Sequence, residues 1–163
     1  MVAKTAEELN DLSNRIIGIA IDIHKKLGPG FQKKIYPVRK PQHLCRGWWK
    51  WKVSAGYWGR SQSPALSNGV YEEAFLTEFK KSGIGYEKQK VVRVDYDGQG
   101  LGNQRIDLLA DDEVILEIKA CTKIIPIYRD QVISYLKTAN KKLGLILNFG
   151  RSKLEIKRVV HNF

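Results

Sequence analysis

The chain has 163 residues, of which 43% are hydrophobic, and it carries a formal net charge of +11 at pH 7. Its length suits a single domain with an ordinary core, and no apolar run approaches the roughly 18 residues that a membrane span requires. The positive charge suggests a polyanionic partner. The two cysteines show neither a disulfide framework nor metal-site spacing, and the first residues are polar rather than signal-like, so we expect a cytoplasmic protein that does not contact membranes.

The first predicted element is an amphipathic helix that ends at Gly28. Apolar residues recur at helical spacing up to Leu27, after a candidate cap at Thr5 or Asn10. Gly28 can adopt the left-handed conformation of a helix end, and Pro29 prevents the helix from continuing. The sequence therefore predicts one long helix over most of the first 28 residues.

Residues 32–69 differ in composition from the rest of the chain. They contain all four tryptophans, three of the five prolines and eight Lys or Arg without an acidic residue, and they lack sustained hydrophobic periodicity. Most of the net positive charge therefore belongs to this segment. Basic residues interleaved with aromatic ones can bind single-stranded nucleic acid by charge and stacking. An insertion without a function of its own is the alternative.

A second helix and a long strand follow. An apolar stripe predicts a helix that ends at Ser82 and Gly83; its members are Val70, Ala74, Phe75 and Phe79. Glu72 and Glu73 lie in the first turns of this helix, where carboxylates complement the helix dipole. Residues 86–96 then predict a strand, and the glycine-rich residues after them predict a turn.

Residues 107–119 predict two short apolar strands joined by an acidic turn. A two-residue turn would mix charged and apolar side chains on both faces. A three-residue loop would pair Ala110 with Val114 and Asp107 with Glu117, and it separates the two kinds of side chain because side chains alternate along a strand. The apolar face would hold Ile106, Leu108, Ala110, Val114, Leu116 and Ile118, and the other face Arg105, Asp107, Glu117 and Lys119, with Leu109 and Ile115 nearer the turn.

Asp107 and Glu117 would then lie side by side, next to Lys119. Two adjacent carboxylates repel each other, and burial strengthens the repulsion unless another charge offsets it. Mg²⁺ can do so, because it prefers hard oxygen ligands and often binds one or two carboxylates together with substrate phosphate oxygens. The alternative is an ordinary surface ion pair between Glu117 and Lys119 on a half-exposed strand.

The remaining chain predicts a helix and two strands. Pro126 suits the start of a helix, and the pattern extends it from about Ile127 to Lys141. Residues 143–149 are continuously apolar, as in a central strand, and residues 153–160 alternate like an edge strand. The order of two helices, three strands, one helix and two strands favours an α/β fold, in which helices flank a mixed sheet that contains an antiparallel hairpin.

An aspartate separated by nine residues from a Glu-Ile-Lys sequence, in a hairpin followed by a helix, resembles the PD-(D/E)XK phosphodiesterase superfamily. Within it, the chain resembles the GxxExxY proteins. The resemblance is carried by residues 22–31, 70–74, 105–109, 116–120 and 131–137, within matching regions at about 10–31 and 70–160. Two departures are Ile106, where the superfamily has proline, and the signature glutamate, whose position is occupied by Lys33 or Asn68.

The resemblance implies a restriction-endonuclease-like core and a nuclease that cleaves phosphodiester bonds in nucleic acid, with DNA as the expected substrate and Mg²⁺ or Mn²⁺ as the cofactor. The implied site consists of Asp107 and Glu117 as metal ligands and of Lys119, Gln131, Glu72 and Tyr135 as catalytic side chains. The lysine would orient the attacking water. Gln131 and Tyr135 share a helix face, for which the alternative role is the polar edge of a core-packed helix. The rival function is a non-catalytic module that keeps the fold to bind nucleic acid or a protein.

The resemblance also implies that the basic tryptophan-rich segment is an insertion. In the resembled family the first helix end leads directly into the second helix, whereas here the junction occurs twice, at Tyr36 and at Tyr71. Removing residues 37–71 leaves a sequence that follows the family pattern without interruption. We therefore predict a single domain over residues 1–163, interrupted by an insertion at about 37–71.

Overall fold

One mixed sheet organises the computed structural model, which describes residues 4–29 and 68–163. In chain order the elements are α1 (Ala6–Leu27), α2 (Asn68–Ser82), β1 (Tyr86–Tyr96), β2 (Gln99–Ala110), β3 (Val114–Lys119), α3 (Pro126–Thr138), β4 (Leu143–Asn148) and β5 (Glu155–Val160). The strands lie in the order β1-β2-β3-β4-β5, with β3 and β4 parallel and the other neighbours antiparallel. The predicted α/β class and element order are confirmed.

Helix α1 begins and ends where its sequence signals predict. The Thr5 hydroxyl accepts from the Glu8 N–H (3.3 Å), and the Glu8 carboxylate accepts from the Thr5 N–H (2.7 Å), so Thr5 rather than Asn10 is the cap. At the other end Gly28 has φ 76°, a conformation that glycine adopts without steric cost. These two caps confine the helix to the residues between them.

The sheet separates two hydrophobic clusters. Helices α1 and α2 cover one face, and α3 covers the other. On the α1–α2 side, the Phe149 ring stacks on Tyr71 with centroids 4.2 Å apart and meets Phe75 edge to face at 6.1 Å. The smaller α3 side includes Ile106, Leu109, Ile115, Val132, Leu136 and Ile146. Both faces of the central strands are therefore buried.

Helix α2 ends at Ser82, as predicted, but its two neighbouring carboxylates are not in its first turn. It begins at Asn68, so Glu72 and Glu73 lie past the first turn, which contains no acidic residue. Compensation of the helix dipole therefore does not explain these carboxylates; Lys88 of β1 forms an ion pair with Glu73 instead.

The predicted insertion at 37–71 falls mostly outside the described residues, as do all four tryptophans and Lys33. Its last residues belong to α2. Tyr71 is fully buried, and its hydroxyl donates to the carbonyl of Gly28 (3.0 Å). This tyrosine therefore connects the start of α2 to the end of α1.

The predicted register of the β2–β3 hairpin is confirmed from the turn to Leu108 and Leu116, whereas the predicted ladder pair of Asp107 with Glu117 is not formed. Ala110 pairs with Val114 across a three-residue turn, and Leu108 pairs with Leu116. One residue was assigned to the wrong face: Ile106 packs in the α3 cluster, whereas Leu108 packs in the α1–α2 cluster. The alternation of β2 is interrupted between them, opposite Gln89 of β1, which has φ 54°.

The last elements agree with the sequence pattern except at one boundary. Helix α3 ends at Thr138, three residues before the predicted Lys141, and the chain then passes through Asn140 with φ 51°. Strand β4 is buried along its whole length between β3 and β5, and β5 lies at one edge of the sheet. Among the described residues, no helix is long and apolar enough to cross a membrane.

Candidate active site

The candidate site lies where β2 separates from β3. Backbone pairing between these strands ends at Leu108 and Leu116, while β2 continues beside β1. At the next position the Asp107 carboxylate accepts a hydrogen bond from the backbone N–H of Ile118 (3.1 Å). The carboxylate thus takes the place of a backbone acceptor, which holds it beside Glu117 of β3.

Glu117 is a buried carboxylate with one unsatisfied oxygen. The residue is 1% exposed, and its Oε1 forms an ion pair with the Lys119 ammonium. Its Oε2 is buried without a hydrogen-bond partner among residues 4–29 and 68–163. A buried charged acceptor without a partner is costly. This oxygen is therefore available to an electropositive ligand.

The three charged groups perturb one another. Burial raises the pKa of Glu117, and the neighbouring Asp107 raises it further, against the opposing effects of Lys119 and Gln131. Burial also raises the pKa of Asp107. Burial alone would lower the pKa of Lys119, but the two carboxylates outweigh it and the pKa is raised. Lys119 is therefore cationic at neutral pH, which suits it to donate hydrogen bonds rather than to abstract a proton.

Helix α3 adds three side chains at this edge of the sheet. The Gln131 amide donates to the Tyr135 hydroxyl (2.5 Å), and Tyr135 is 7% exposed. The Lys119 ammonium lies 4.8 Å from the ring centroid of Tyr128, a cation–π contact. Tyr128 was missed by the sequence analysis, although its spacing of three residues from Gln131 places both on one helix face. The predicted Gln131 and Tyr135 are thus beside the charged cluster.

Glu72 makes its polar contacts with side chains of β1 rather than with this cluster. It is 7% exposed on α2, where its Oε2 accepts from the Gln89 amide (3.3 Å) and lies 3.7 Å from the Lys88 ammonium. The described part of the chain contains no group of three or more His, Cys, Asp and Glu residues placed to hold a metal ion. Asp107 and Glu117 are therefore the pair of carboxylates that the structure brings together, with Glu72 connected through Gln89.

A second network fixes the loop that follows Lys119. Asn148 is fully buried; its Oδ1 accepts from the N–H groups of Cys121 (2.9 Å) and Gly150 (3.0 Å), and its Nδ2 donates to Glu155 (3.0 Å). The same Glu155 oxygen accepts from the Ile124 N–H (3.2 Å). A buried asparagine at the end of an apolar strand was the available sequence signal, and the sequence analysis did not use it. The network holds the connection between β3 and α3.

The chain matches the profile of one known protein family and is similar to solved structures. The profile of a family described as the PD-(D/E)XK nuclease superfamily matches residues 60–159, and no curated protein matches the chain. Two similar solved structures are the crystal structure of SSO0001 (14% identity, TM-score 0.47) and that of an alkaline exonuclease, LHK-Exo, from Laribacter hongkongensis (13% identity, TM-score 0.45). They cover 58% and 60% of this chain, which spans 50% and 57% of theirs.

The family match covers more than half of the chain, including strands β1 to β4, β5 up to Val159, and the Asp107–Lys119 region. The mixed sheet flanked by helices is the expected restriction-endonuclease-like fold. Fold, carboxylate pair and family profile lead to one conclusion: the chain belongs to the PD-(D/E)XK nuclease superfamily.

Proposed function

We propose that the protein is a nuclease that cleaves DNA with the help of Mg²⁺ or Mn²⁺. The observation that supports this most is the unpartnered, buried Oε2 of Glu117 next to the Asp107 carboxylate. Two carboxylates with a free oxygen fit a hard divalent cation, which takes the rest of its ligands from water and substrate phosphate. An ordinary surface ion pair would not bury Glu117 or leave one of its oxygens unsatisfied.

Each site residue has a proposed role in this reaction. Asp107 and Glu117 would hold the cation, which when bound polarises the phosphate and lowers the pKa of its water. The Lys119 ammonium, held between Glu117 and the Tyr128 ring, would donate to the attacking water and neutralise charge that develops on the phosphate. Gln131 would position the scissile phosphate, with its amide oriented by the Tyr135 hydroxyl.

We also infer that the chain belongs to the GxxExxY proteins within the superfamily. Supporting this is the tyrosine of the signature, because Tyr71 fills the core between α1 and α2 and binds the Gly28 carbonyl. The signature glutamate itself is absent, because its position is occupied by Lys33 or Asn68. The cytoplasmic location stays a prediction from cysteine usage.

Purified wild-type protein is expected to cut DNA when Mg²⁺ or Mn²⁺ is added and to stop when EDTA removes the metal. Lys119→Ala should lower the turnover number on the order of a hundredfold, because one donor to the developing charge is lost. Its metal affinity should change less. Lys123→Ala, an exposed lysine four residues further on, is the matched control and should cut like the wild type. Cleavage of labelled single- and double-stranded DNA and RNA measures these effects.

The outcomes separate the proposed functions. Cleavage of RNA alone would contradict DNA as the substrate. Metal-independent binding of DNA without cleavage would favour the non-catalytic module, in which the charged cluster only retains the geometry of the nuclease fold. Equal activity of Lys119→Ala and wild type would contradict the role given to the lysine.

Deletion of residues 37–71 is expected to leave a folded protein at least as stable as the full chain. The product is the same polypeptide as a deletion of residues 36–70, because both junction residues are tyrosine, so a tyrosine still follows α1 into the core. Closing a shorter loop costs less entropy, by roughly 0.6 kcal/mol per halving of its length. Melting temperatures of both proteins measure the difference. A deleted protein that fails to fold would mean that the segment is structural.

The same deletion should weaken nonspecific DNA binding without abolishing cleavage. It removes six of the eight basic residues of the segment, and fewer phosphate contacts give a smaller dependence of affinity on salt. A full-length control in which those six residues are changed to Gln separates the loss of charge from the loss of chain. If the control binds DNA like the wild type, the segment does not contribute through its charge.

A further inference from the structure

We propose that Gln89 is a positioning residue that holds the Glu72 carboxylate at the Asp107 side of the site. The inference rests on the proposed nuclease function and extends it to a residue outside the superfamily motif. It explains how a carboxylate from α2, on one face of the sheet, is connected to a carboxylate pair that opens toward α3 on the other.

Gln89 lies directly opposite Asp107. Lys88 pairs with Leu108 and Lys90 pairs with Ile106, so the residues between them face each other across the β1–β2 ladder. Neighbours of this kind have Cα atoms about 5 Å apart. Neither Gln89 nor Asp107 belongs to a regular ladder pair, and Asp107 uses its carboxylate to bind the Ile118 N–H of the strand on its other side. The regular β1–β2 pairing is therefore interrupted at Asp107, the first residue of the candidate site.

The backbone of Gln89 directs its side chain toward α2. Consecutive residues of a regular strand point to opposite faces, yet the side chains of Lys88 and Gln89 both reach α2 carboxylates. Gln89 can do so because its φ is 54°, in the left-handed region that non-glycine residues rarely occupy. Backbone conformations of this kind persist where surrounding contacts hold them, and they are concentrated at functional sites.

The side chains of Gln89 and Lys88 approach the same carboxylate oxygen of Glu72. The Gln89 amide donates to Glu72 Oε2 (3.3 Å), and the Lys88 ammonium lies 3.7 Å from the same atom. Glu72 is 7% exposed, so these donors fix the direction of a carboxylate that has little contact with water. Gln89 therefore acts through Glu72, with no requirement to touch the substrate itself.

The test compares Gln89→Gly and Gln89→Ala with wild type in the full-length protein. Glycine relieves the left-handed backbone and removes the amide, so Gln89→Gly should melt at or above the wild-type temperature. Its turnover number should nevertheless fall on the order of ten- to a hundredfold, with KM for DNA unchanged. If Gln89 only shaped the backbone of β1, the same variant would keep the wild-type turnover number. Gln99→Ala, an exposed glutamine at the far end of the same hairpin, should behave like the wild type.

Coupling to Glu72 supplies the second readout. Adding Gln89→Ala to Glu72→Ala should cause no further loss of activity, because the amide then has nothing to position. If the double variant lost activity by the product of the two single losses, the inference would be wrong. It would also be wrong if Gln89→Gly had the wild-type turnover number.

Calorimetric titration with Mn²⁺ tests the inference without cleavage. Gln89→Ala and Glu72→Ala should weaken binding by similar factors. If wild-type protein binds Mn²⁺ with this pattern but cuts nothing, the proposed nuclease function fails and the positioning role stands. If Gln89→Ala binds like the wild type, or if the wild type binds no Mn²⁺, the positioning role is wrong.

Discussion

Glu117→Gln is expected to abolish metal-dependent cleavage while leaving the protein folded. The substitution keeps the shape of the side chain and removes the charge that the cation would share with Asp107. Loss of a residue that merely orients a metal ligand reduces activity about ten- to a hundredfold, so loss of a ligand should exceed that range. Rates at saturating Mg²⁺ and calorimetric Mn²⁺ affinity should fall together. Glu7→Gln, the same change at an exposed position of α1, is the control.

The same variant should alter the pH dependence of stability. Burial and Asp107 raise the pKa of Glu117 above its ordinary value of 4.5, so the metal-free folded protein binds this proton more tightly than the unfolded chain does. The stability that the protonated Glu117 carboxyl contributes to the folded protein is fully present below pH 4.5. It is lost as the pH rises through the raised pKa. Above that pKa, Glu117→Gln should be at least as stable as the wild type in EDTA. Strong destabilisation of the variant in EDTA above that pKa would mean that the buried charge of Glu117 is not energetically unfavourable.

Gly150→Ala is expected to destabilise the protein by about 1–3 kcal/mol. A Cβ atom at this position would overlap the backbone nitrogen, carbonyl carbon and oxygen of Cys121. That backbone cannot move freely, because the Cys121 N–H is bound to the buried Asn148 side chain. Displacing it would also disturb the loop that follows Lys119, so cleavage should weaken as well. Urea denaturation gives the change in the free energy of unfolding.

Gly18→Ala is the matched control for this substitution. Gly18 lies on the exposed side of α1, and a Cβ there would meet nothing within 4 Å. Alanine is the better helix former, so this variant should gain about 0.5–1 kcal/mol of stability. Two substitutions of the same kind should therefore change stability in opposite directions. If Gly150→Ala were as stable as the wild type, the loop after Lys119 would not be rigidly held.

The hairpin was predictable from the sequence because its register has only one solution that buries apolar side chains together. A shift by one residue would move every side chain of β3 to the other face, so the local pattern fixes the pairs up to Leu108 and Leu116, and Asp107 and Glu117 follow these as neighbours. The caps of α1, the boundaries of β1 and the proline at the start of α3 follow from short-range stereochemistry in the same way. Gln131 and Tyr135 share a face because of helical spacing alone.

The remaining features depend on contacts between segments that are distant in sequence. Ile106 packs on the α3 side because β2 is irregular opposite Gln89, and nothing in the alternation of β2 itself indicates that irregularity. Glu72 is separated by 17 residues from the Gln89 amide that binds it, and Asn148 by 27 from the Cys121 N–H. The sequence by itself determined the strands, their register and the charged pair, since each follows from a periodicity of neighbouring residues. Only the tertiary structure decided which distant side chains support that pair, because such contacts form when helices and loops pack against the completed sheet.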